Sequence, residues 1–150
     1  MAKETLSKAT FETLVKHLVE IEGGKNKLLE QYFPEPSKER NEFASFLDEY
    51  IERVDQLIKN ASKSKNTGNR VPFVISGSEV EVQDLSDQKV FKYRIVIPIH
   101  GSVRGGDVSY LSPMGKSLML RRVGDEVEVK APGGVFRYQI TSIQLQRDTM

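Results

Sequence analysis

Few side chains in this 150-residue sequence could carry chemistry of their own. The chain has no cysteine, which excludes disulfides, thiolate metal sites and cysteine nucleophiles. Its two histidines, His17 and His100, are too few for a histidine-based metal site unless carboxylates complete it. His17 lies in a helical pattern and His100 follows an apolar run, so we expect ordinary surface or half-buried roles for both. The residues of most interest are therefore charged ones.

Three carboxylates lie together around a pair of prolines. Glu35 is placed between Pro34 and Pro36, and Glu39 and Glu42 follow shortly after. Glu35 and Glu39 flank the predicted start of a helix, where the helix dipole favours negative charge by up to about 1 kcal/mol whatever the function.

A second charged group is basic and lies in the C-terminal half. It could bind an acidic partner surface, or it could serve only to keep the protein soluble. The residues of this group are Arg104, Lys116, Arg121 and Arg122.

The first half of the chain has the apolar period of helices with a coiled-coil seam. The first series is Phe11, Leu14, Leu18, Ile21, Leu28 and Tyr32, with Lys25 in the one polar slot. The second series is Phe43, Leu47, Tyr50, Val54, Leu57 and Ala61. Two facing seams predict an antiparallel hairpin, with its tip at 33–39 where two prolines forbid continuous helix. Gly23 and Gly24 predict a kink or local break, because the pair costs about 2 kcal/mol of helix propensity.

The apolar period changes to two in the second half, which predicts strands. Strands are expected at 78–84 and 90–97, and a later pair of strands follows a short helix that starts with Ser112 and Pro113. The fold class is therefore α+β: a helical hairpin at 1–65, a polar linker at 66–70, and an antiparallel sheet domain of four or five strands with one short helix at 71–150.

Charge and hydropathy exclude several classes of protein. The formal net charge is +1, so no broad field points to naked nucleic acid as the principal partner. No apolar run approaches membrane-spanning length, and the first residues lack the apolar core of a signal peptide. We expect a soluble, cytoplasmic protein.

Three short motifs in the C-terminal half carry a family resemblance. Residues 111–118 have the sequence Leu-Ser-Pro-Met-Gly-Lys-Ser-Leu, residues 123–125 are Val-Gly-Asp, and residues 131–134 are Ala-Pro-Gly-Gly. Each is a weak turn or helix-start signal alone, but together they occur in a fixed order with matching spacing. In this respect the chain resembles the bacterial Gre-type transcription elongation factors.

The resemblance implies a fold and a function. It implies a hairpin that enters the secondary channel of bacterial RNA polymerase and a C-terminal domain, similar in fold to the FK506-binding proteins, that grips the channel rim. The chain would act as a monomer and meet the 3′ end of the nascent RNA. It would not be an enzyme itself, because the RNA cleavage that such factors stimulate belongs to the polymerase.

The resemblance also assigns roles to the acidic tip. The tip motif of the family is Gly-Asp-Leu-x-Glu-Asn-Ala-Glu-Tyr. Glu39, Glu42 and Phe43 occupy its Glu, Glu and aromatic positions, and Glu35 stands for the aspartate if one residue is inserted. The resemblance implies that Glu35 and Glu39 help hold a magnesium ion shared with the polymerase active centre, with Glu42 as a third candidate. No cofactor would be bound stably by the chain alone.

The basic residues take their roles from the same resemblance. Phosphate contacts are electrostatic and tolerate variable positions, so lysines of the first helix could touch the RNA, although such lysines are often only a solvated face. The candidates are Lys16, Lys25 and Lys27 for RNA, and Arg104, Lys116, Arg121 and Arg122 for the polymerase.

Two other functions remain open. The chain could be a Gre-like paralogue that occupies the channel and inhibits or modulates the polymerase without stimulating cleavage. A more remote alternative makes the sheet domain a peptidyl-prolyl isomerase. Such enzymes use an apolar, aromatic-lined pocket, and this chain has no tryptophan.

The change of period predicts that the two halves unfold nearly independently. Limited proteolysis should therefore cut first between Lys63 and Arg70, as mass spectrometry of the early fragments would show. Protection of that segment, with rapid cutting between Glu79 and Ile97, would contradict the predicted boundary.

Overall fold

A computed structural model describes residues 5–64, 68–98 and 105–145. The chain divides into two compact units between Gly68 and Asn69. This division falls inside the predicted linker, part of which lies outside the described residues, as do His100 and most of the loop predicted before the short helix.

The first unit is a helical hairpin. Helix α1 spans Lys8–Tyr32 and helix α2 spans Lys38–Asn60. At about 1.5 Å per residue, the 25 residues of α1 extend over about 37 Å. Ser7 caps α1, because its hydroxyl accepts a hydrogen bond of 3.1 Å from the backbone N–H of Thr10.

The core of the hairpin is the apolar seam that the sequence predicts. The buried residues of α1 include Leu14, Leu18, Ile21, Leu28 and Leu29, and those of α2 are Phe43, Leu47, Tyr50, Val54 and Leu57. Phe11, Tyr32 and Ala61, at the ends of the two predicted series, are only half-buried. The predicted polar slot holds Lys25, which forms an ion pair with Asp48 of α2.

Helix α1 continues without interruption through Gly23 and Gly24, so the local break predicted there is wrong. A Cβ atom added to either glycine would meet no heavy atom within 4 Å. The helix survives because burial of seam residues on both sides, Ile21 and Leu28, contributes about 1.5 to 3 kcal/mol each, which exceeds the propensity cost of the pair.

A short two-stranded sheet at the base of the hairpin was not predicted. Strand β1, Thr5–Ser7, pairs in parallel with strand β2, Ser62–Ser64, so that Leu6 lies opposite Lys63. Leu6 is fully buried. The Nζ of Lys63 lies 4.4 Å from the centre of the Phe11 ring, a cation–π contact. Both strands lie within the residues predicted for the hairpin, 1–65.

The second unit confirms the predicted sheet domain with one short helix. Its strands are β3 (Ser78–Asp84), β4 (Val90–Val96), β5 (Val108–Ser109), β6 (Glu126–Ala131) and β7 (Gly134–Leu145), and its helix is α3 (Pro113–Leu118). The sheet order is β5-β4-β3-β7-β6. All pairs are antiparallel except the one between β4 and β5, which is parallel, so the sheet is mixed at one edge.

One face of this sheet forms the core of the second unit. Its buried residues alternate along the strands, as in Val80 and Val82 of β3 and Val127 and Val129 of β6. Helix α3 contributes the fully buried Leu118, whereas Leu120, which follows the helix, is half-buried with a left-handed backbone (φ 68°).

Gly115 explains why the helix of the second unit starts with the pattern Ser-Pro-x-Gly. A Cβ atom at this position would lie 1.9 Å from the carbonyl oxygen of Ser109, so the close approach of α3 to β5 requires glycine. The hydroxyl of Ser112 accepts a hydrogen bond of 3.1 Å from the Gly115 N–H and caps the helix. Within the described part of the chain, no helix is long and apolar enough to cross a membrane.

A polar pair joins the two helices of the hairpin, with Tyr50 fully buried and His17 half-buried. The Nε2 of His17 lies 2.5 Å from the hydroxyl of Tyr50, and the two rings meet edge to face. Burial lowers the pKa of His17 from 6.5 to about 4, because the low-dielectric surroundings disfavour the charged imidazolium. The folded hairpin therefore holds His17 in its neutral form.

This pair predicts that the hairpin loses stability in acid. Below pH 6.5 the unfolded chain takes up a proton that the folded chain accepts only near pH 4. The loss of stability therefore occurs in that window and is at most about 3 kcal/mol. Urea unfolding of the intact chain, followed by helical circular dichroism, should show this loss.

His17→Gln is the control, because glutamine keeps a polar group but does not titrate. The free energies of unfolding of the wild-type chain and of this variant should converge or cross as the pH falls from 6.5 to 4. If the two pH profiles stay parallel, the pKa of His17 is the same in the folded and the unfolded chain, and the prediction is wrong.

Candidate functional site

The tip of the hairpin is a five-residue loop, 33–37, that joins α1 to α2. Pro34 and Pro36 lie in this loop and exclude helix on both sides of Glu35. The second helix begins at Lys38, so the predicted tip at 33–39 covers the loop and the first residues of α2. Glu35 therefore belongs to the loop, and Glu39 belongs to the first helical turn.

The end of the loop is fixed by the N-cap of α2. The Oγ of Ser37 accepts a hydrogen bond of 3.0 Å from the backbone N–H of Arg40, and the Ser37 carbonyl accepts one of 3.1 Å from Asn41. The extended backbone of Ser37 (φ −161°, ψ 165°) is that of an N-cap residue. Helix α2 thus has a defined first turn.

The start of the loop is held by the side chain of Arg40. Its Nη1 donates a hydrogen bond of 2.6 Å to the carbonyl oxygen of Phe33, and its Nη2 lies 3.2 Å from Oε1 of Glu30. The rings of Phe33 and Phe43 also meet edge to face, with centres 5.7 Å apart. Arg40 therefore links the last turn of α1 to the first turn of α2.

All three predicted tip carboxylates are exposed. Glu42 lies 3.9 Å from the Nζ of Lys38, one turn earlier in α2. Glu39 lies in the first turn, where the helix dipole favours its charge. In the residues that the structure describes, no three His, Cys, Asp or Glu side chains come together as a metal cluster.

Glu30 is a fourth carboxylate at the tip that the sequence did not indicate. It belongs to the last turns of α1 and is engaged with Arg40. The only available signal was the opposite charge of the two residues on either side of the proline loop.

The three candidate RNA-contacting lysines lie on α1. Lys16 and Lys27 are exposed, whereas Lys25 is only 27% exposed and paired with Asp48 across the seam. Lys25 therefore has a structural partner within the hairpin, and Lys16 and Lys27 are the two that present their charge to solvent.

The basic cluster of the second unit surrounds α3. Lys116 lies on the helix, and Arg121 and Arg122 follow its end; all three are exposed. The backbone N–H of Arg122 donates a hydrogen bond of 2.9 Å to Oδ2 of Asp125. Arg104, the fourth member of the predicted cluster, lies outside the described residues.

An open groove of about 380 Å³ lies at one end of the sheet domain. Its lining residues are Asp84, Leu85, Ser86, Val135, Phe136 and Arg137. Hydrogen bonds from Ser86 hold the pKa of Asp84 below its usual value, so this carboxylate stays charged. With one aromatic ring and two charged side chains, the groove differs from the apolar, aromatic-lined pocket of a peptidyl-prolyl isomerase.

Comparison with known proteins gives a match on the second unit. The family model described as "Transcription elongation factor, GreA/GreB, C-term" matches residues 69–145. Transcription elongation factor GreA of Thermotoga neapolitana is 38% identical over 95 residues, which are 62% of this chain and 59% of that protein. GreA of Thermodesulfovibrio yellowstonii is 32% identical over 105 residues, 68% of this chain and 65% of that protein. The matches thus span about three fifths to two thirds of the length of these relatives.

A solved structure also covers most of the chain. The GreA/GreB factor from Nitrosomonas europaea is 21% identical over 96% of this chain and 99% of its own, with a TM-score of 0.47.

The N-cap of α2 makes a prediction about the stability of the tip. Ser37→Ala removes the acceptor for the Arg40 N–H and should lower the free energy of unfolding by about 1 kcal/mol. Ser45→Ala is the matched control, because Ser45 is exposed inside the same helix and alanine is the better helix former by about 0.5 kcal/mol. Chemical denaturation of both variants tests this, and equal effects at the two positions would contradict the cap.

Proposed function

Because the chain belongs to the family of GreA/GreB transcription elongation factors, we propose that it binds bacterial RNA polymerase and regulates transcription elongation from the secondary channel. In this proposal the hairpin enters the channel, the sheet domain docks at its rim, and the catalysis remains with the polymerase. The observation that carries the proposal is the family match across residues 69–145, nearly the whole of the second unit.

The dimensions of the hairpin support an insertion role. Helices of 25 and 23 residues give two arms of about 35 to 37 Å with a narrow loop at the end. Two paired helices bury only a thin core, and most of the surface of such a hairpin is exposed along its length. It is suited to carry a few tip residues into a channel that a globular domain could not enter.

The tip supports a finer proposal, that Glu35 and Glu39 lend carboxylate oxygens to a magnesium ion in the polymerase active centre. Magnesium prefers hard oxygen ligands and keeps several of its waters, so one or two exposed carboxylates suit it. The tip carboxylates are exposed, and no metal cluster of three or more ligands forms among the described residues. The chain would supply only part of the coordination shell. The ion would stabilise the charge that develops during RNA hydrolysis.

The proposal also gives roles to the exposed basic side chains of α1 and of the sheet domain, as contacts with RNA and with the rim of the polymerase channel. Lys16 and Lys27 would approach the phosphates of the nascent RNA near its 3′ end, where contacts depend on charge more than on exact geometry. Lys116, Arg121 and Arg122 would face an acidic surface of the polymerase. The protein would work in the cytoplasm as a monomer.

A second candidate function is occupation of the channel without stimulation of cleavage. One observation favours it: Glu35 is enclosed by two prolines in the loop, whereas Glu39 belongs to the helix, so the two carboxylates are carried by separate elements. Convergence of both on one ion then depends on how the loop is held against the helix.

The two candidates are separated by replacing both carboxylates. Glu35→Gln/Glu39→Gln keeps the size of each side chain but removes the charge that a hard cation requires. RNA cleavage in a stalled, backtracked elongation complex should fall at least tenfold, which corresponds to about 1.4 kcal/mol of transition-state stabilisation, while polymerase binding stays unchanged.

The matched control is Glu49→Gln/Glu52→Gln, which removes two exposed charges from the same helix farther from the tip. This variant should stimulate cleavage as the wild-type chain does. If the wild-type chain binds polymerase but never stimulates cleavage, the magnesium role is wrong and occupation of the channel is the remaining candidate. If it does not bind polymerase at all, both candidates fail.

A further inference from the structure

Arg40 makes contact with both ends of the tip loop. Its backbone N–H donates to Oγ of Ser37, at the end of the loop, over 3.0 Å. Its guanidinium donates to the carbonyl oxygen of Phe33, at the start of the loop, over 2.6 Å. Glu35 lies midway between these two points. A single residue of α2 thus closes the loop that carries this carboxylate.

The contact with Phe33 is the shorter of the two that the guanidinium makes, 2.6 Å against 3.2 Å for Glu30. A hydrogen bond from a charged donor to a carbonyl at a helix C-terminus satisfies an acceptor that the helix leaves open. Pro34, which follows Phe33, brings no N–H to the loop. The Glu30 partner adds little energy, because its side chain is 66% exposed, but it orients the guanidinium towards α1.

The two prolines of the loop also restrict the backbone on either side of Glu35. Pro34 and Pro36 each fix one backbone torsion, and Pro36 also restricts Glu35 to extended conformations. With both loop ends attached to Arg40, the backbone at Glu35 has few remaining ways to move. The N-cap at Ser37 and the ring contact between Phe33 and Phe43 also attach the loop to α2. The guanidinium adds a hydrogen bond to the backbone at the start of the loop.

We infer that Arg40 is the positioning residue of the tip: it holds Glu35 at one place relative to the start of α2, so that this carboxylate reaches the same point as Glu39. This inference deepens the proposed function and rests on it for its consequence in cleavage. Arg40 touches neither RNA nor metal in this account. It acts through the position of Glu35.

The position of Glu35 is measured first, in the free full-length chain. Because the chain has no cysteine, Glu35→Cys/Glu52→Cys places exactly two spin labels, one in the loop and one on α2. Pulsed electron paramagnetic resonance should give a narrow distance distribution. Adding Arg40→Met should broaden it, whereas adding Lys38→Met, which removes a neighbouring exposed charge, should not. Circular dichroism establishes that both variants remain folded.

The consequence is measured second, by magnesium titration of RNA cleavage in a backtracked complex. Arg40→Met should lower cleavage stimulation at least tenfold at limiting magnesium, with partial recovery at high magnesium and unchanged polymerase binding. Arg40→Lys, which keeps the charge and a donor, should recover part of the loss. A role in stability alone would not move the magnesium dependence.

The outcomes separate this inference from the proposed function. A distribution that stays narrow in Arg40→Met overturns the inference. A broad distribution with unchanged cleavage also overturns it, because the position of Glu35 would then not matter. If the wild-type chain stimulates no cleavage, the magnesium role of the tip fails, while the distance measurements still decide whether Arg40 holds the loop.

Discussion

Burial of one apolar seam between two antiparallel helices is the constraint on which the hairpin depends. The seam is only a single row of side chains on each helix, so its register decides where every other residue of the unit lies. The ion pair between Lys25 and Asp48 lies in the one polar slot of that row, and the pair of His17 and Tyr50 adds a second polar contact between the helices. Polar groups in a seam specify register more than they add stability. The position of the tip follows from that register.

The sequence predicts the parts of the fold that bury a regular apolar pattern. The seam of α2 is buried as predicted from Phe43 to Leu57, with only its last member, Ala61, half-buried. The alternating strands β3 and β4 lie within one residue of their predicted ends. The elements that were missed are short and polar, such as β2 with the sequence Ser-Lys-Ser, or have only two residues, such as β5. Their pairing is fixed by neighbours distant in sequence, which a local pattern does not contain. The uninterrupted helix at Gly23 and Gly24 is a further case, because packing on both sides outweighs local propensity.

In the candidate site too, the sequence predicts what local residue types show and misses contacts between residues that are distant in sequence. The sequence indicates the carboxylates Glu35, Glu39 and Glu42 and the prolines that flank Glu35, because residue types and spacing are visible there. It does not indicate that Arg40 reaches back to the carbonyl of Phe33, because that contact exists only when α1 and α2 are side by side. The family resemblance offers Lys25 as a candidate RNA contact, and the sequence does not indicate that the folded hairpin pairs this lysine with Asp48. The attachment of the tip loop to α2 therefore depends on the folded hairpin, and the loop sequence alone does not predict it.

The proposed function requires the hairpin tip to reach the polymerase active centre, which proximity cleavage can detect. Asn41→Cys is exposed beside the tip, leaves all tip carboxylates in place and gives the chain its single cysteine, to which an iron chelate can be attached. In a complex with bacterial RNA polymerase, hydroxyl radicals from the chelate should cut the polymerase around its active centre and the nascent RNA near its 3′ end. The same chelate at Glu52→Cys, about 17 Å along α2, should cut farther out in the channel. Cuts from Asn41→Cys confined to the outer surface of the polymerase would show that the tip does not enter the channel, and the proposed function would be wrong.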